Sequence, residues 1–129
     1  MHTGSCLCGK ITFEILQEIK EIIFCHCPMC RKAQGTAFSA NTPIEKDKFK
    51  LISGKEYLHN YLSSPDKFRC FCKNCGSPIY SYFISKLNIL RLRIGCLDTV
   101  PEGKPSKHIC ADKKATWYEI NDNLPQFNA

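Results

Sequence analysis

The chain has 129 residues, 43% of them apolar, which fits one domain over residues 1–129 with a single modest hydrophobic core. Lysine and arginine outnumber aspartate and glutamate by 18 to 12, but no basic run exceeds two residues, so we expect no nucleic-acid partner. No stretch approaches the roughly 18 apolar residues of a membrane span, and charges near the N-terminus interrupt any signal-peptide core, so we expect a soluble, cytoplasmic protein without a membrane partner.

Short strand patterns follow one another along the chain. A tight turn is predicted at residues 4–9, and residues 10–15 then alternate polar and apolar side chains, as a half-buried strand does. Pro28 suits the first turn of a short helix over residues 29–34, which Gly35 ends, so that Cys25 and Cys27 lie in the preceding loop. Other strands are predicted at residues 22–24, 38–41, 49–52, 57–62, 68–71, 79–83 and 89–94. Many short strands and one short helix indicate a mainly β domain.

Ten cysteines are far more than a chain of this size usually carries. They indicate either a secreted disulfide framework or metal and redox chemistry in a reducing compartment. The expected absence of a signal peptide favours the second. Several of the cysteines lie one or two residues apart, too close to join distant segments by pairing with each other but well suited to gripping one ion.

Two cysteine pairs together provide a complete set of ligands for one metal ion. Cys6 and Cys8 form one pair, and Cys72 and Cys75 form the other. Four thiolates are the full tetrahedral set of a structural zinc. A glycine follows each pair and lets backbone amides turn back toward the sulfur atoms. We therefore predict a structural zinc site that joins the N-terminal strand to the middle of the sheet.

A second constellation, Cys25, Cys27 and Cys30, provides three thiolates and no obvious fourth partner. Structural zinc sites are closed, whereas catalytic ones hold three protein ligands and keep one position open for water or substrate. We therefore predict a catalytic zinc site here and two zinc ions per chain. His26 lies between two of the ligands, so we expect its side chain to project away from the ion.

Two other interpretations of this constellation remain open. Residues 27–30 have the C-x-x-C form of a dithiol redox pair, but that motif normally sits in a βαβ unit and leaves Cys25 without a task. The segment can also belong to a zinc-ribbon interaction module whose metal is only a scaffold. Isolated cysteines and histidines elsewhere are expected to be buried apolar residues or hydrogen-bonding groups outside the metal sites: Cys70, Cys96, Cys110, His59 and His108.

The three cysteine motifs together resemble the glutathione-dependent formaldehyde-activating enzyme family, which includes the centromere protein V group. The resemblance covers nearly the whole chain. It rests on residues 4–9 (GSCLCG), 25–32 (CHCPMCRK) and 71–77 (FCKNCGS), and on a tail from His108 through residues 117–120 (WYEI) to residues 124–127 (LPQF).

The resemblance implies a β-tent fold of antiparallel sheets with short helical pieces. In the family, four ligands hold a structural zinc and three a catalytic zinc, and the matching residues here are the two cysteine sets described above. The namesake enzymes join glutathione to formaldehyde and are classed as carbon–sulfur lyases. The present chain is compact beside them, so we expect segments that shape their glutathione site to be missing.

The sequence therefore predicts an enzyme of the S-(hydroxymethyl)glutathione synthase type. Its substrates are expected to be glutathione or a related small thiol and formaldehyde or another small electrophile. A thiol at the open position would be ionised, and Arg31 or Lys32 is a candidate to stabilise the alkoxide that forms. The alternative is a zinc-binding carrier or interaction module, which would bind thiols without turnover.

Overall fold

The structure, a computed structural model, describes residues 1–129 as a mainly β protein. Ten strands form two sheets, and five short 3-10 helices lie between strands or after the last one. The one α-helix, α1, covers Pro28–Gln34, and no helix is long and apolar enough to cross a membrane. The strands are, in chain order, β1 (His2–Ser5), β2 (Thr12–Ile15), β3 (Glu21–Cys25), β4 (Ser39–Glu45), β5 (Phe49–Ser53), β6 (Leu58–Ser64), β7 (Lys67–Cys72), β8 (Pro78–Phe83), β9 (Ile89–Arg93) and β10 (Lys104–Ile109).

The smaller sheet has three antiparallel strands in the order β1-β2-β5. Its central strand, β2, buries Phe13 and Ile15 and leaves Thr12 and Glu14 partly exposed, which is the alternation expected from the sequence. Phe13 stacks on Phe49 of β5 with ring centroids 5.1 Å apart. The sheet therefore presents one apolar face to the rest of the molecule.

The larger sheet has seven strands in the order β10-β3-β4-β9-β8-β7-β6. Its pairings are antiparallel except that of β10 with β3, which is parallel. β10 lies at one edge of the sheet, where the lack of an N–H at Pro105 is tolerated. The predicted mainly β fold of antiparallel sheets is confirmed, with one parallel pair added.

One apolar cluster joins the two sheets. Each buried isoleucine or leucine in it contributes about 1.5–3 kcal/mol to the hydrophobic stabilisation. Two cysteines of the first predicted metal site belong to the cluster, so that site is continuous with the core. The cluster consists of Cys6, Ile11, Phe13, Ile15, Ile19, Ile44, Cys72, Ile79, Leu90 and Leu92.

The eight strands predicted from the sequence are all present, and the predicted helix differs from α1 only at its first residue. Two strands were missed: β1, which is short and contains Gly4, and β10, which contains a proline and two lysines. Cys25, predicted to lie in a loop, is instead the last residue of β3, because the backbone there still pairs with Ser39 and Ile109 on both sides.

Gly54, in the turn between β5 and β6, occupies a position that tolerates no side chain. Its φ is 87°, and a Cβ there would lie 2.2 Å from the carbonyl oxygen of Lys10 and 2.8 Å from the Cα of Ile11. Both contacts are to backbone atoms, which cannot rotate away. We expect Gly54→Ala to lower the free energy of unfolding by about 2–4 kcal/mol, measured by denaturant titration.

Gly95 is the matched control, because it has no positive φ and a Cβ there would meet open space. We expect Gly95→Ala to change the stability by no more than about 0.5 kcal/mol. Equal losses for the two variants would contradict the steric argument.

Candidate metal centres

Four cysteines from two distant turns form the first cluster. Cys6 and Cys8 follow β1, Cys72 ends β7, and Cys75 lies in the turn to β8. Their four Sγ atoms all lie within 4.8 Å of one another, with 3.5 Å from Cys6 to Cys8 and 3.8 Å from Cys8 to Cys72. Tetrahedral ligands at about 2.3 Å from one ion are about 3.8 Å apart, so this spacing fits a four-coordinate metal site.

The two turns have the same construction. Gly9 has φ 78° and donates its N–H to the carbonyl of Cys6 at 3.0 Å, while Gly76 has φ 82° and donates to the carbonyl of Cys72 at 2.7 Å. Nothing lies within 4 Å of a Cβ at either glycine. Glycine therefore suits these positions because of the left-handed backbone conformation and not because of crowding. The first turn also directs the N–H of Ile11 at the Cys6 Sγ, 3.3 Å away.

The thiols of this cluster differ in how readily they ionise. A hydrogen bond from the Ser77 hydroxyl lowers the pKa of Cys75 to about 5, and a hydrogen bond from Asn74 lowers the pKa of Cys8. Burial raises the pKa of Cys72 to about 11. A bound cation supplies the positive charge that a buried thiolate needs, so the set as a whole suits metal binding.

The second cluster consists of Cys25, Cys27 and Cys30, whose Sγ atoms also lie within 4.8 Å of one another. Cys25 ends β3, Cys27 is the N-cap of α1, and Cys30 lies in the first turn of the helix. The N–H of Cys30 donates to the Cys27 Sγ at 3.3 Å, which satisfies one free amide of the helix start. The helix ends at Gly35, whose φ of 71° lets its N–H reach the carbonyl of Arg31.

The charge of this cluster is concentrated on Cys30. Hydrogen bonds from Cys25 and then Cys27 hold the pKa of Cys30 far below its usual value, whereas hydrogen bonds with Cys27 and then Cys30 raise the pKa of Cys25. The guanidinium of Arg69 approaches the Cys30 Sγ with its two Nη atoms at 3.8 and 3.7 Å. The structure therefore provides a stabilised thiolate, and three sulfur atoms positioned to bind one cation.

The remaining cysteines lie outside both clusters. Cys70 is buried in β7 and donates to the Asn60 side chain at 2.8 Å, and the half-buried Cys96 donates to the carbonyl of Pro78 at 2.9 Å. Cys110 is also half-buried and adopts a left-handed conformation with φ 54° next to the second cluster. Cys70 is buried as expected, while Cys96 and Cys110 are more exposed than buried apolar residues would be.

His26 is fully buried and its ring does not join the three sulfur atoms. Its Nε2 lies 2.7 Å from Nδ1 of His108, whose Nε2 lies 2.9 Å from the carboxylate of Asp122. The hydrogen bond from His108 lowers the pKa of Asp122, and burial lowers the pKa of His26. An ionised Asp122 only accepts, so His108 donates to Asp122 through Nε2, and its Nδ1 shares a hydrogen bond with His26. This chain of bonds fixes the loop between Cys25 and Cys27.

The two basic residues considered from the sequence differ in their surroundings. Arg31 donates to the backbone carbonyls of His26 and Lys113 at 3.3 and 3.2 Å, so its guanidinium supports the loop and the C-terminal segment. Lys32 lines a cavity of about 430 Å³ between α1 and the larger sheet, which Arg69 also lines. Lys32 is therefore the better placed of the two for a role near the second cluster.

The sequence matches one family model over most of its length. Residues 1–113 match the model described as glutathione-dependent formaldehyde-activating enzyme, abbreviated GFA. The chain belongs to the GFA family.

Two relatives extend the comparison. A Schizosaccharomyces pombe protein named "Uncharacterized lyase C29B12.13" is 26% identical over 126 residues, which cover 98% of this chain and 90% of the relative. The crystal structure of a Rhodobacter sphaeroides protein superimposes with a TM-score of 0.65 at 21% identity, covering 78% of this chain and 91% of the other. The first likeness supports a lyase-type enzyme within the GFA family, and the second supports the fold.

The C-terminal tail of this GFA chain follows the matched residues 1–113 and contacts His108, which is bonded to His26 between two cysteines of the second cluster. Phe127 donates its N–H to the carbonyl of His108 at 2.9 Å, and His108 donates its own N–H to the carbonyl of Pro125 at 2.9 Å. Asp122, from the same tail, completes the bonds to His108 and His26. This arrangement was not predicted from the sequence, because 82 positions separate His26 from His108 and no local spacing links them.

Proposed function

We propose that the chain is a zinc-dependent carbon–sulfur lyase-type enzyme of the S-(hydroxymethyl)glutathione synthase type, with one domain over residues 1–129. In this proposal Cys6, Cys8, Cys72 and Cys75 hold a structural zinc. Cys25, Cys27 and Cys30 hold a catalytic zinc. The observation that carries the proposal is the difference between the two clusters, because four thiolates close a site and three leave one position for a substrate.

Zinc fits both clusters because thiolates are soft ligands and the sulfur spacing suits tetrahedral coordination. A zinc ion bound at the second cluster supplies the Lewis acidity that keeps a substrate thiol ionised at neutral pH. Thiolate ligands have to remain reduced, so we also infer a reducing compartment such as the cytoplasm.

In the proposed reaction the substrate thiol releases its proton to solvent and its sulfur forms a bond to the carbon of formaldehyde. The electron pair of the C=O double bond moves to oxygen, which takes up a proton, so the reaction as a whole neither consumes nor releases protons. Positive side chains next to the cluster favour both the thiolate and the alkoxide. Arg69 lies against Cys30, and Lys32 lines the adjacent cavity, where its ammonium can donate a proton.

The metal content gives a direct prediction. Protein purified without chelator should contain about two zinc ions per chain, because seven ligands divide into four and three. Mild chelation should remove one ion first, because the three-ligand site exposes an exchangeable position. Metal analysis gives the number of ions per chain, and a thiol-reactivity assay during chelation shows which cluster releases its ion first. A value of one ion with Cys25, Cys27 and Cys30 all reactive would contradict the two-site interpretation, and iron would indicate a rubredoxin-like site.

The enzyme proposal is tested by the rate at which glutathione and ¹³C-formaldehyde exchange with their adduct, followed by exchange NMR. Thiols add to aldehydes without help, so the measured quantity is the increase over the spontaneous rate. We expect an increase proportional to protein concentration that disappears in Cys30→Ala. Glutathione binding without any increase would identify a carrier, and the absence of glutathione binding would exclude this thiol as the substrate.

A further inference from the structure

Four cations lie close together on one face of the larger sheet. Arg69 of β7 pairs with Ser81 of β8, which pairs with Arg91 of β9, so these three side chains share a face. Lys67 lies two residues before Arg69 in β7, and Arg93 lies two residues after Arg91 in β9, so both are on the same face. Two of the cations lie over the ring of Phe83: the Lys67 Nζ is 5.0 Å from the ring centroid and the Arg91 Cζ is 5.8 Å from it. We refer to Lys67, Arg69, Arg91 and Arg93 as the cation cluster.

No carboxylate pairs with the cation cluster. The three ion pairs of the structure lie elsewhere, between His2 and Glu102, Glu18 and Lys20, and His108 and Asp122. The acidic group that contacts the cluster is the thiol of Cys30, whose Sγ lies 3.8 and 3.7 Å from the two Nη atoms of Arg69. A divalent ion with three thiolates would carry one net negative charge. The cation cluster therefore holds more positive charge than the second metal site can balance.

Two polar groups of this face are buried without a partner. Arg93 is only 3% exposed, and its Nη1 donates to the side chain of Asn41 while its Nε has no acceptor. The hydroxyl of Ser81, between Arg69 and Arg91, is fully buried and also has no partner. Burial lowers the pKa of Arg93 to about 10 and lowers the pKa of Lys67. Buried donors without an acceptor are costly, so the free Nε of Arg93 and hydroxyl of Ser81 favour an additional acceptor at this face.

A cavity lies beside the cation cluster, and Arg69 is the residue that both lines it and contacts the second cysteine cluster. It encloses about 430 Å³, and Arg69 and Arg93 line it together with Met29 and Lys32 of α1. Arg69 also contacts the Cys30 Sγ, so a molecule in the cavity can reach the guanidinium that faces the second cluster. Tyr61 and Tyr80 contribute to its walls, which gives the cavity apolar surface around its basic end.

We propose that the cation cluster binds a carboxylate of the substrate, so that the second metal site selects thiols that carry a carboxylate over neutral or cationic thiols. The inference rests on the proposed function, because the cavity is that of the proposed thiol site. Arginine pairs bind carboxylates through two parallel hydrogen bonds, and the buried position strengthens such bonds relative to the surface. Glutathione, with two carboxylates, belongs to the selected class, and its diester, which has no carboxylate, does not.

The alternative is that the cluster only offsets the negative charge of the thiolates and their metal. In that case the loss of one cation would weaken the binding of every thiol to the same extent. A carboxylate subsite instead predicts a loss that depends on whether the probe carries carboxylates. The two roles are therefore separated by the choice of probe.

The experiment is calorimetric titration of the metal-loaded protein with three probes: glutathione, glutathione diethyl ester and S-methylglutathione, which has carboxylates but no free thiol. We expect Arg93→Gln to weaken glutathione and S-methylglutathione binding about tenfold or more, and diester binding less than about twofold. Arg91→Gln, at a half-buried position, should show the same pattern to a smaller degree and covers the case in which the Arg93 variant does not fold. Lys50→Gln, which removes an exposed cation of β5, should change none of the affinities.

The outcomes separate this inference from the proposed function. Equal losses for all probes, or equal wild-type affinities for glutathione and its diester, would overturn the carboxylate subsite. Arginine-dependent binding of S-methylglutathione with no additional affinity for the free thiol would support the subsite and overturn the thiol site. Metal analysis of each variant shows whether both ions are retained, and loss of the second ion on its own from Arg91→Gln would also count against the subsite.

Discussion

Cys72→Ala is expected to leave no cooperative unfolding transition. Cys72 is fully buried, ends β7 and belongs both to the four-cysteine cluster and to the apolar core. Its cluster links segments 64 positions apart, and structural zinc sites bind with about 10–16 kcal/mol, as much as the whole stability of a typical domain of about 5–15 kcal/mol. Circular dichroism during heating and metal analysis of the purified variant measure the effect.

Cys70→Ala is the matched control for this prediction. Cys70 lies on the same strand and is equally buried, but it donates to Asn60 and takes no part in the four-cysteine cluster. Cys70→Ala should lower the free energy of unfolding by about 1–2 kcal/mol and leave the metal content unchanged. If the two variants melt alike, the first cluster does not stabilise the fold through a metal ion.

Cys30→Ala is expected to weaken glutathione binding about a hundredfold or more, because it removes a proposed ligand of the open site. The melting transition should move far less than in Cys72→Ala. The second cluster spans only residues 25–30, and the four-cysteine cluster that joins the two sheets remains intact. Calorimetric titration beside thermal unfolding separates the two effects.

Cys110→Ala serves as the control for the second cluster. Cys110 lies next to Cys25 but outside the three-sulfur group, and alanine at its left-handed backbone position is strained to the same degree as cysteine. We expect glutathione binding to remain within about twofold of the wild type. Undiminished binding by Cys30→Ala, or a comparable loss in Cys110→Ala, would contradict the assignment of the substrate site.

The two cysteine groups could be predicted from the sequence because the cysteines within each motif are close together along the chain. Cys6 and Cys8, and likewise Cys25, Cys27 and Cys30, lie close enough for their spacing to report shared geometry. The strands of the two sheets were visible for the same reason, since alternation such as that of β2 repeats every two residues. Only β1 and β10 were not predicted, because their sequences do not alternate apolar and polar residue types.

The support of the second site could not be predicted in the same way. The alternation of β9 placed Arg91 and Arg93 opposite Leu90 and Leu92, which indicates two faces but not that the charged face is itself covered. That covering depends on how α1 and the sheet come together. The bonds from Asp122 to His26 likewise depend on the tail returning to β3, and no pattern within a short window encodes such long-range contacts.

Because β10 pairs with β3, the strand that lies beside Cys25 is the last strand of the chain to be synthesised. The four cysteines of the first cluster all lie within residues 1–75, so they leave the ribosome before the segments that surround Cys25. The strand beside Cys25 is β10, made from residues 104–109, and Asp122 follows later still. In a nascent chain the proposed four-ligand site can therefore be completed before the loop of the proposed three-ligand site is held in place.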